Sequence, residues 1–282
     1  MYQLLAPDKL CRRALQLGYL LRHPLSHRDC SSAVRHSRTS SDRVAPLKYI
    51  GNYLALSLNT AQRRTALIGH HELLAKVLTF AGAEDLRLGV EVWKRDVAAH
   101  EPPLRIVLEP ARFAPMEGEL QLRFIFRSDL YVLTFLIAPG RTFGREAPTV
   151  LFIGGLQGLI GARQEIRDAS RLNREIAPKV MLLIAVQVIA EVAGASEILA
   201  VSENDQVSMA YAPSLLMFDY HAFWSEVGAV GVGSCYAVPL KTPQKPLAAI
   251  PLTHRRRTRR KREEKDRIRF DIMQSLSRVF RR

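Results

Sequence analysis

The chain has 282 residues, of which 48% are apolar and 24% are charged; this composition supports a folded core and excludes a largely disordered protein. The net charge of +14 is concentrated at the two ends, because residues 1–50 hold nine Lys or Arg against three Asp, and residues 255–282 hold thirteen Lys or Arg against four Asp or Glu. The stretch between them is close to neutral, so attraction to phosphate-rich partners, either nucleic acid or anionic lipid head groups, resides in the ends.

The cysteines and the apolar segments indicate the compartment. Three widely spaced cysteines, Cys11, Cys30 and Cys235, do not suggest a disulfide framework and favour a reducing compartment. Charged residues interrupt the apolar residues near the N-terminus, so no signal peptide is expected. The most apolar stretch, residues 180–195, is shorter than the roughly 20 residues that a membrane span needs. We expect a cytoplasmic protein, either free or held peripherally at the inner membrane.

The first third of the chain is predicted to consist of helices joined by a linker. Residues 1–22 place apolar side chains at helical spacing and predict a basic amphipathic helix. Residues 23–43 are rich in Ser, Arg and His, which is typical of a mobile linker. Residues 52–57 and 61–80 have helix-forming composition, and Gly82 is expected to end the second of these helices.

Strand patterns begin near the middle of the chain. Residues 104–108 predict a short strand, and residues 119–126 alternate apolar and polar side chains as a half-buried antiparallel strand does. Residues 130–137 are apolar on both faces, which predicts a central strand. Residues 149–153 predict a further strand that ends at a Gly-Gly pair.

Helices and strands alternate in the remainder. A short basic helix is predicted over residues 164–171, and a longer one begins at Pro178, continues through Val192 and ends at Gly194. The later predicted elements are a strand over residues 197–202, a helix over residues 218–227 and a strand over residues 235–240.

These elements together predict an α/β (α+β) fold with a mixed, largely antiparallel sheet and flanking helices. The predicted divisions are a basic helix and flexible linker over residues 1–45, a main domain over residues 46–250 and a basic amphipathic helix over residues 251–282. Within the main domain, residues 46–100 form a helical part and residues 104–240 a sheet part.

Seven short phrases resemble one bacterial family. They are NYLA (52–55), EGELQLRF (117–124), LYVLTF (130–135), VLFIGGLQG (150–158), APK (177–179), AVS (200–202) and YHAFWSEVG (220–228). With the basic tail, they resemble the VirK/YbjX family of Gram-negative bacteria over residues 49–271. The resemblance implies a protein of uncharacterised biochemistry that is associated with virulence, envelope integrity and resistance to antimicrobial peptides.

The chain departs from the family pattern in two places. Family members carry His-Gly-Leu-Arg-Pro before the long helix, where this chain has Arg174 and Ala177 in place of the His and the Arg. After the AVS phrase they carry Asn and then His, where this chain has Glu203 and Gln206. If the histidines are catalytic in the family, these departures abolish or alter the activity here.

A glycine-rich phrase is the candidate cofactor site. Glycine amides ahead of a helix start can hold a phosphate group. The predicted strand order also resembles that of the GNAT-type acyltransferases, in which a loop after the central strand cradles the pyrophosphate of coenzyme A. That resemblance implies an acyl-CoA or acyl-carrier donor; the alternative is a tight structural turn, because the glycine spacing departs from the GNAT run. The candidate residues are Gly154, Gly155, Gln157, Gly158 and Gly161.

Acyl transfer also requires a general base or acid. The candidates are Glu119, Glu165, Glu203 and Tyr236, and the alternative for each is an ordinary surface or hydrogen-bonded residue. No metal site is predicted, because the ligand-type residues in the expected linker lack the paired spacing of a zinc site. Those residues are His23, His27, Cys30 and His36.

The basic tail is the strongest physical signal in the sequence. A cationic amphipathic helix of this kind can lie at an anionic membrane surface or bind a partner groove, and the alternative is a helix docked on its own domain. Its cationic residues are Arg255, Arg256, Arg257, Arg259, Arg260, Lys261 and Arg262, and its apolar face consists of Ile268, Ile272, Leu276, Val279 and Phe280.

Three functions follow from these patterns. The leading one is a VirK/YbjX-like factor at the inner face of the bacterial envelope, with an acyltransferase-like activity and an envelope or virulence protein as a further partner. The second is a non-enzymatic membrane-surface adaptor with a basic tail. The third is a non-specific nucleic-acid-binding protein; specific readout is not expected, because helix-turn-helix spacing, zinc pairs and RNP-type aromatics are missing from the sequence.

Overall fold

The structure is a computed structural model that describes residues 18–19, 21, 23–39, 45–97, 100–210 and 218–281. These residues contain an eight-stranded sheet. Its strands are β1 (Val90–Arg95), β2 (Leu104–Pro110), β3 (Leu120–Phe126), β4 (Ser128–Ala138), β5 (Val150–Gly158), β6 (Glu197–Val201), β7 (Val230–Val232) and β8 (Cys235–Val238).

The strands lie in the order β1-β2-β3-β4-β5-β6-β8-β7. Strands β5 and β6 are parallel, and every other neighbouring pair is antiparallel. A parallel pair requires a crossover connection, which the two helices between β5 and β6 supply. The predicted mixed, largely antiparallel sheet is therefore confirmed.

Seven α-helices surround the sheet within the described ranges. The 15-residue helix α5 is buried over most of its length and packs against β3 and β4. Helix α2 also packs against β4, so the central strand has helices as neighbours as well as strands. The helices are α1 (Pro24–Ser37), α2 (Thr60–Val77), α3 (Phe80–Leu88), α4 (Arg163–Leu172), α5 (Pro178–Val192), α6 (Tyr220–Glu226) and α7 (Leu252–Leu276).

The prediction of a linker over residues 23–43 is wrong for residues 24–37, which form helix α1. Pro24 occupies the first turn, where its missing N–H costs nothing, and one face of the helix packs against α2. The buried residues of that face are Cys30, Ala33, Val34 and Ser37. Polar composition suggested a linker, but small residues at helical spacing were enough to bury one side. The helix predicted for residues 1–22 lies almost entirely outside the described residues.

Three further expectations are corrected. Residues 52–57 are not helical. Gly82 does not end a helix: α2 stops at Val77, and Gly82 lies in the first turn of α3, where its N–H donates to the capping hydroxyl of Thr79 at 2.9 Å. Strand β5 does not end at the Gly-Gly pair but continues to Gly158. The short edge strands β1 and β7 were not predicted at all, since edge strands bury little and carry a weak apolar pattern.

Strand β3 is buried on both faces, which its alternating sequence did not predict. Its apolar side chains are buried as expected. On the opposite face Gln121 is fully buried and its amide donates to Glu109 Oε1 at 2.6 Å, while Arg123 Nε donates to the same oxygen at 2.6 Å. Polar residues on this face are therefore satisfied inside the protein rather than by water.

Helix α7 docks on its own domain. Ile268, Ile272 and Leu276 are fully buried, and the helix packs against α5 and β1. After the helix, Phe280 forms a β-bridge with Leu78 at the end of α2. The apolar face of the tail is thus already occupied by the protein itself.

No helix among the described residues combines the length and the apolar character that crossing a bilayer requires.

The docked face of α7 makes a stability prediction. Ile272→Ala removes a fully buried side chain and leaves a cavity, so we expect the free energy of unfolding to fall by about 2–5 kcal/mol in urea titrations. Phe270→Ala is the matched control, because Phe270 lies on the same helix and is 61% exposed; its effect should stay within about 0.5 kcal/mol. Equal losses for the two variants would contradict the docking.

Candidate functional site

The sheet opens between β5 and β6. Their parallel pairing runs from Val150 opposite Glu197 to Ile153 opposite Ala200 and then stops. Strand β5 continues to Gly158 and remains paired with β4 on its other side. Ligand sites of open α/β sheets lie at such places, where the carboxyl ends of neighbouring strands diverge.

The hydroxyl of Tyr220, on helix α6, takes the place of the missing strand. The backbone N–H of Leu156 donates to the Tyr220 hydroxyl at 2.9 Å, and this hydroxyl donates to the Leu156 carbonyl at 3.1 Å. The amide of Gln206, in the turns after β6, also donates to it at 2.8 Å. A single buried side chain therefore satisfies the backbone groups that β6 would otherwise have paired.

Glu117 fills the opening. A Cβ atom at Gly154 would lie 1.9 Å from the Glu117 carbonyl oxygen, and one at Gly155 would lie 1.9 Å from Glu117 Oε2. Only glycine permits this approach. The glycines that suggested a phosphate-binding loop therefore belong to a strand, and the space above them holds a carboxyl group.

The two oxygens of Glu117 have different surroundings. Oε1 accepts hydrogen bonds from Gln157 Nε2 at 2.8 Å, from Ser208 Oγ at 2.8 Å and from Gln206 Nε2 at 3.2 Å. Oε2 is buried and has no hydrogen-bond partner among the described residues. Burial raises the pKa of Glu117 to about 7, and the three donors only partly oppose this rise. A carboxyl group with a pKa near neutrality is suited to both accepting and donating a proton.

Glu119, two residues further on, has the opposite environment. Its Oε1 accepts from Lys48 Nζ at 2.9 Å and from the Tyr53 hydroxyl at 2.8 Å, and its Oε2 lies 3.5 Å from His71 Nε2. Burial alone would raise the pKa of Glu119, but Lys48 and His71 together hold it well below its ordinary value. Two carboxyl groups close in sequence are thus kept in different protonation states, a pattern typical of acid–base sites.

The Glu119 cluster ties the helices to the sheet. His71 lies on α2 and its Nδ1 is 2.8 Å from the Ser37 hydroxyl of α1, while the neighbouring His70 accepts a hydrogen bond from the Ile137 amide of β4 at 3.2 Å. Burial, with help from His71, lowers the pKa of His70 to about 3, so His70 is neutral. The cluster is therefore a buried set of contacts that joins α1, α2 and the sheet.

The four predicted acid–base candidates do not come together, and no hydrogen bond or ion pair joins any two of them. Glu119 alone is close to Glu117 in the chain, two residues away, and the two carboxyl groups have different partners. Glu165, on α4, accepts a hydrogen bond from Ser128 Oγ at 2.6 Å; Glu203 is exposed after β6; and the hydroxyl of Tyr236, on β8, lies 2.9 Å from His221 Nδ1.

The five predicted cofactor residues share one part of the chain but not one loop. Gly154, Gly155, Gln157 and Gly158 belong to β5, and Gly161 follows in a turn with φ +85° before α4. The expected loop is thus wrong in its geometry, since the strand continues through four of the five residues. An acyl-CoA or acyl-carrier ligand stays a prediction.

Sequence reasoning missed Glu117 itself and most of the residues that surround the two carboxyl groups. Those missed near Glu117 are Ser208 and Tyr220, and those missed around Glu119 are Lys48, Tyr53 and His71. One signal was available, since the phrases EGELQLRF, GGLQG and YHAFW supply Glu117, Gln157 and Tyr220, and all three meet at the opening of the sheet. Phrases that are distant in the chain but resemble the same family could therefore have been predicted to meet at one site.

The four departures from the family pattern lie in different places. Arg174 pairs with buried Glu264 of α7 at 2.8 Å, and Ala177 occupies the N-cap position of α5. Glu203 is exposed. Gln206 alone contacts Glu117, so it is the departure that bears on the site: it is a neutral amide where the resemblance implies a histidine.

The predicted anion-binding residues of the tail divide into two groups. Arg257 and Lys261 pair with Glu175, at 2.6 and 3.1 Å, whereas Arg255 and Arg262 donate to backbone carbonyls of residues 245–250. These four cations form the first group, whose members all have partners in the protein. The second group consists of Arg256, Arg259 and Arg260, which are exposed and have no carboxylate partner in the part of the chain that the structure describes.

The raised pKa of Glu117 predicts a pH dependence of stability. The folded protein holds the proton up to about pH 7, and the unfolded chain releases it near 4.5, so this group's contribution to the free energy of unfolding falls as the pH rises between those values, by up to about 1.4 kcal/mol per pH unit. Glu117→Gln should remove this slope in urea titrations at a series of pH values. Glu203→Gln, at an exposed position, should keep it; an unchanged slope in Glu117→Gln would contradict the assignment.

Comparison with known proteins gives the family. A family described as proteins of unknown function (DUF535) matches residues 21–274 of the chain. The uncharacterized protein YbjX of Escherichia coli (strain K12) is 28% identical over 239 residues, which cover 79% of this chain and 69% of YbjX. No solved structure matches the chain. The chain therefore belongs to the DUF535 family, the VirK/YbjX family that its short phrases resemble.

Proposed function

We propose that this protein is an enzyme of acyl transfer whose reaction depends on proton transfer at Glu117. The observation that carries the proposal is the position of this carboxyl group. It is buried at the diverging carboxyl ends of a parallel strand pair, and one of its oxygens has no partner among the described residues. The resemblance of the strand order to GNAT-type acyltransferases supports acyl transfer as the reaction. The resemblance to VirK/YbjX proteins supports envelope integrity and resistance to antimicrobial peptides as the biological role.

The proposed reaction balances with a thioester donor. As the hydroxyl or amine of the acceptor attacks the thioester carbonyl, its proton passes to the Glu117 carboxylate. A C–O or C–N bond to the acceptor forms as the C–S bond breaks, and the leaving thiolate takes the proton from Glu117, which returns to its carboxylate form. Gln157 and Ser208, the half-buried donors to Oε1, are the partners of Glu117 that an acceptor could reach.

Gln206 fixes which residue carries the proton. Its amide holds both Glu117 and Tyr220, but it does not titrate. A histidine at this position would compete for the proton and, when charged, would lower the pKa of Glu117. In this chain the proton transfer is therefore left to Glu117.

The activity test uses Glu117→Gln. Release of free thiol from a series of acyl-CoA chain lengths is followed with a thiol reagent, and the variant should lose about 100-fold or more of the wild-type rate. The wild-type rate should rise with pH through about 7, where Glu117 ionises, and the residual rate of the variant should not. Glu203→Gln, at an exposed position, should behave as the wild type. Absence of thiol release by the wild type, or full activity in Glu117→Gln, would reject the proposal.

A second candidate function is binding to an anionic membrane surface. The exposed arginines at positions 256, 259 and 260 support it, since each cation near an anionic bilayer adds about 1 kcal/mol. The apolar face of α7 is docked, so this binding would be electrostatic and without insertion of the helix. Attachment of this kind weakens as salt rises.

Vesicle sedimentation tests the membrane candidate. The triple variant Arg256→Gln, Arg259→Gln and Arg260→Gln should lose binding to vesicles of phosphatidylglycerol and phosphatidylcholine, by about a hundredfold at low salt. Pure phosphatidylcholine vesicles provide the uncharged control. Tighter binding to duplex DNA than to the anionic vesicles at physiological salt would instead favour the nucleic-acid function.

A further inference from the structure

A pocket of about 310 Å³ lies between α5, α7 and the segment of residues 241–250. It shares no residue with the Glu117 site. Its walls combine three kinds of group: apolar side chains, hydroxyl groups and cations.

The pocket wall carries many more cations than anions. Asp266 is the one carboxylate among the wall residues. The cations come from both sides, two from the segment 241–250 and four from α7. They are Lys241, Lys245, Lys261, Arg262, Lys265 and Arg269.

Three of these six cations already have a carboxylate partner. Lys241 lies 3.9 Å from Asp266, Lys261 lies 3.1 Å from Glu175, and Arg269 pairs with Glu191. The other three have no carboxylate within ion-pair distance among the described residues. They are Lys245, Arg262 and Lys265.

Lys265 is the most constrained of the unpaired cations. It is half-buried, and burial, together with the charges of Lys261 and Arg262, lowers its pKa, although Glu226 opposes this. Without a bound anion, the cations of the pocket therefore repel one another and disfavour the charged form of Lys265. A bound anion would relieve that repulsion, because an opposite charge close by stabilises the ammonium form.

The remaining wall distinguishes the pocket from a simple basic surface. Val180 and Ile184 of α5 and Ile250 line it with apolar surface, and Thr242 and Thr258 place hydroxyl groups among the cations. Lysine, arginine and threonine side chains donate hydrogen bonds, and phosphate oxygens accept them. The apolar surface can contact an organic group that carries the phosphate.

We propose that this pocket binds the phosphoryl group of a phosphate ester, with Lys245, Arg262 and Lys265 as its charge partners. The ester is either a lipid head group or a soluble metabolite, since both present the same chemistry to the cations. Helix α7 thus has two anion-binding surfaces: the open arginine surface of positions 256, 259 and 260, and the enclosed pocket.

Calorimetric titration of the full chain tests the proposal. The probes are dioctanoyl phosphatidic acid as a monomer, glycerol 3-phosphate as a soluble ester and dioctanoylglycerol as a neutral control. The double variant Lys245→Gln/Lys265→Gln should weaken binding of the phosphate probes by about tenfold or more. The control Arg267→Gln/Arg278→Gln removes the same charge from exposed positions outside both the pocket and the arginine surface, and it should change the affinity by less than about twofold. Thermal unfolding verifies that both variants are folded.

Each outcome decides the proposal. Tighter binding of the lipid than of the soluble ester assigns the pocket to a head group, and equal binding assigns it to a soluble ester; both support a phosphoryl site. Equal losses in the two double variants would overturn it in favour of general electrostatics. Equal binding of dioctanoylglycerol and the lipid phosphate, or no binding of either phosphate probe at millimolar concentration, would overturn it as well. None of these measurements depends on activity at Glu117.

Discussion

Glu117 lies so close to β5 that a Cβ atom at Gly154 would meet its backbone carbonyl and one at Gly155 would meet its carboxyl group, and the candidate site depends on this contact. A buried carboxyl group requires donors, so Gln157, Gln206 and Ser208 converge on it. The sheet opens beside it because β6 stops pairing after Ala200. The hydroxyl of a tyrosine on α6 then satisfies the backbone that the opening leaves without a strand.

Elements with strong local patterns could be predicted from the sequence. The helix that begins at Pro178 and ends at Val192 is one, because its continuous apolar residues and its first-turn proline indicate both its length and its start. Strand β4 is another, since it is apolar on both faces. Local patterns failed where tertiary contacts decide the structure. A Gly-Gly pair predicts a turn from local sequence alone, yet Gly154 and Gly155 lie within a strand and leave the space that Glu117 occupies.

The candidate site was only partly predictable, for the same reason. Glu119 was a candidate because of its residue type, but nothing local distinguishes it from Glu117, and the two differ only in the groups that surround them. Lys48 and His71 reach Glu119 from segments that precede it by many residues. The opposite shifts in pKa of the two carboxyl groups therefore exist only in the folded protein. The tail is similar. Its helix was predictable, but which side of the helix faces solvent is decided by its packing against α5 and β1.

The contact between Leu78 and Phe280 has a consequence for biosynthesis. These residues are about two hundred positions apart, and the amide of Thr79 donates to the carbonyl of Val279 at 3.0 Å, next to Gly82, where a Cβ atom would lie 2.2 Å from the same oxygen. The end of α2 and the start of α3 cannot complete their packing until the ribosome has released the segment around residue 280. We therefore expect the end of α2 and the start of α3 to stay partly exposed on the nascent chain until that segment has emerged.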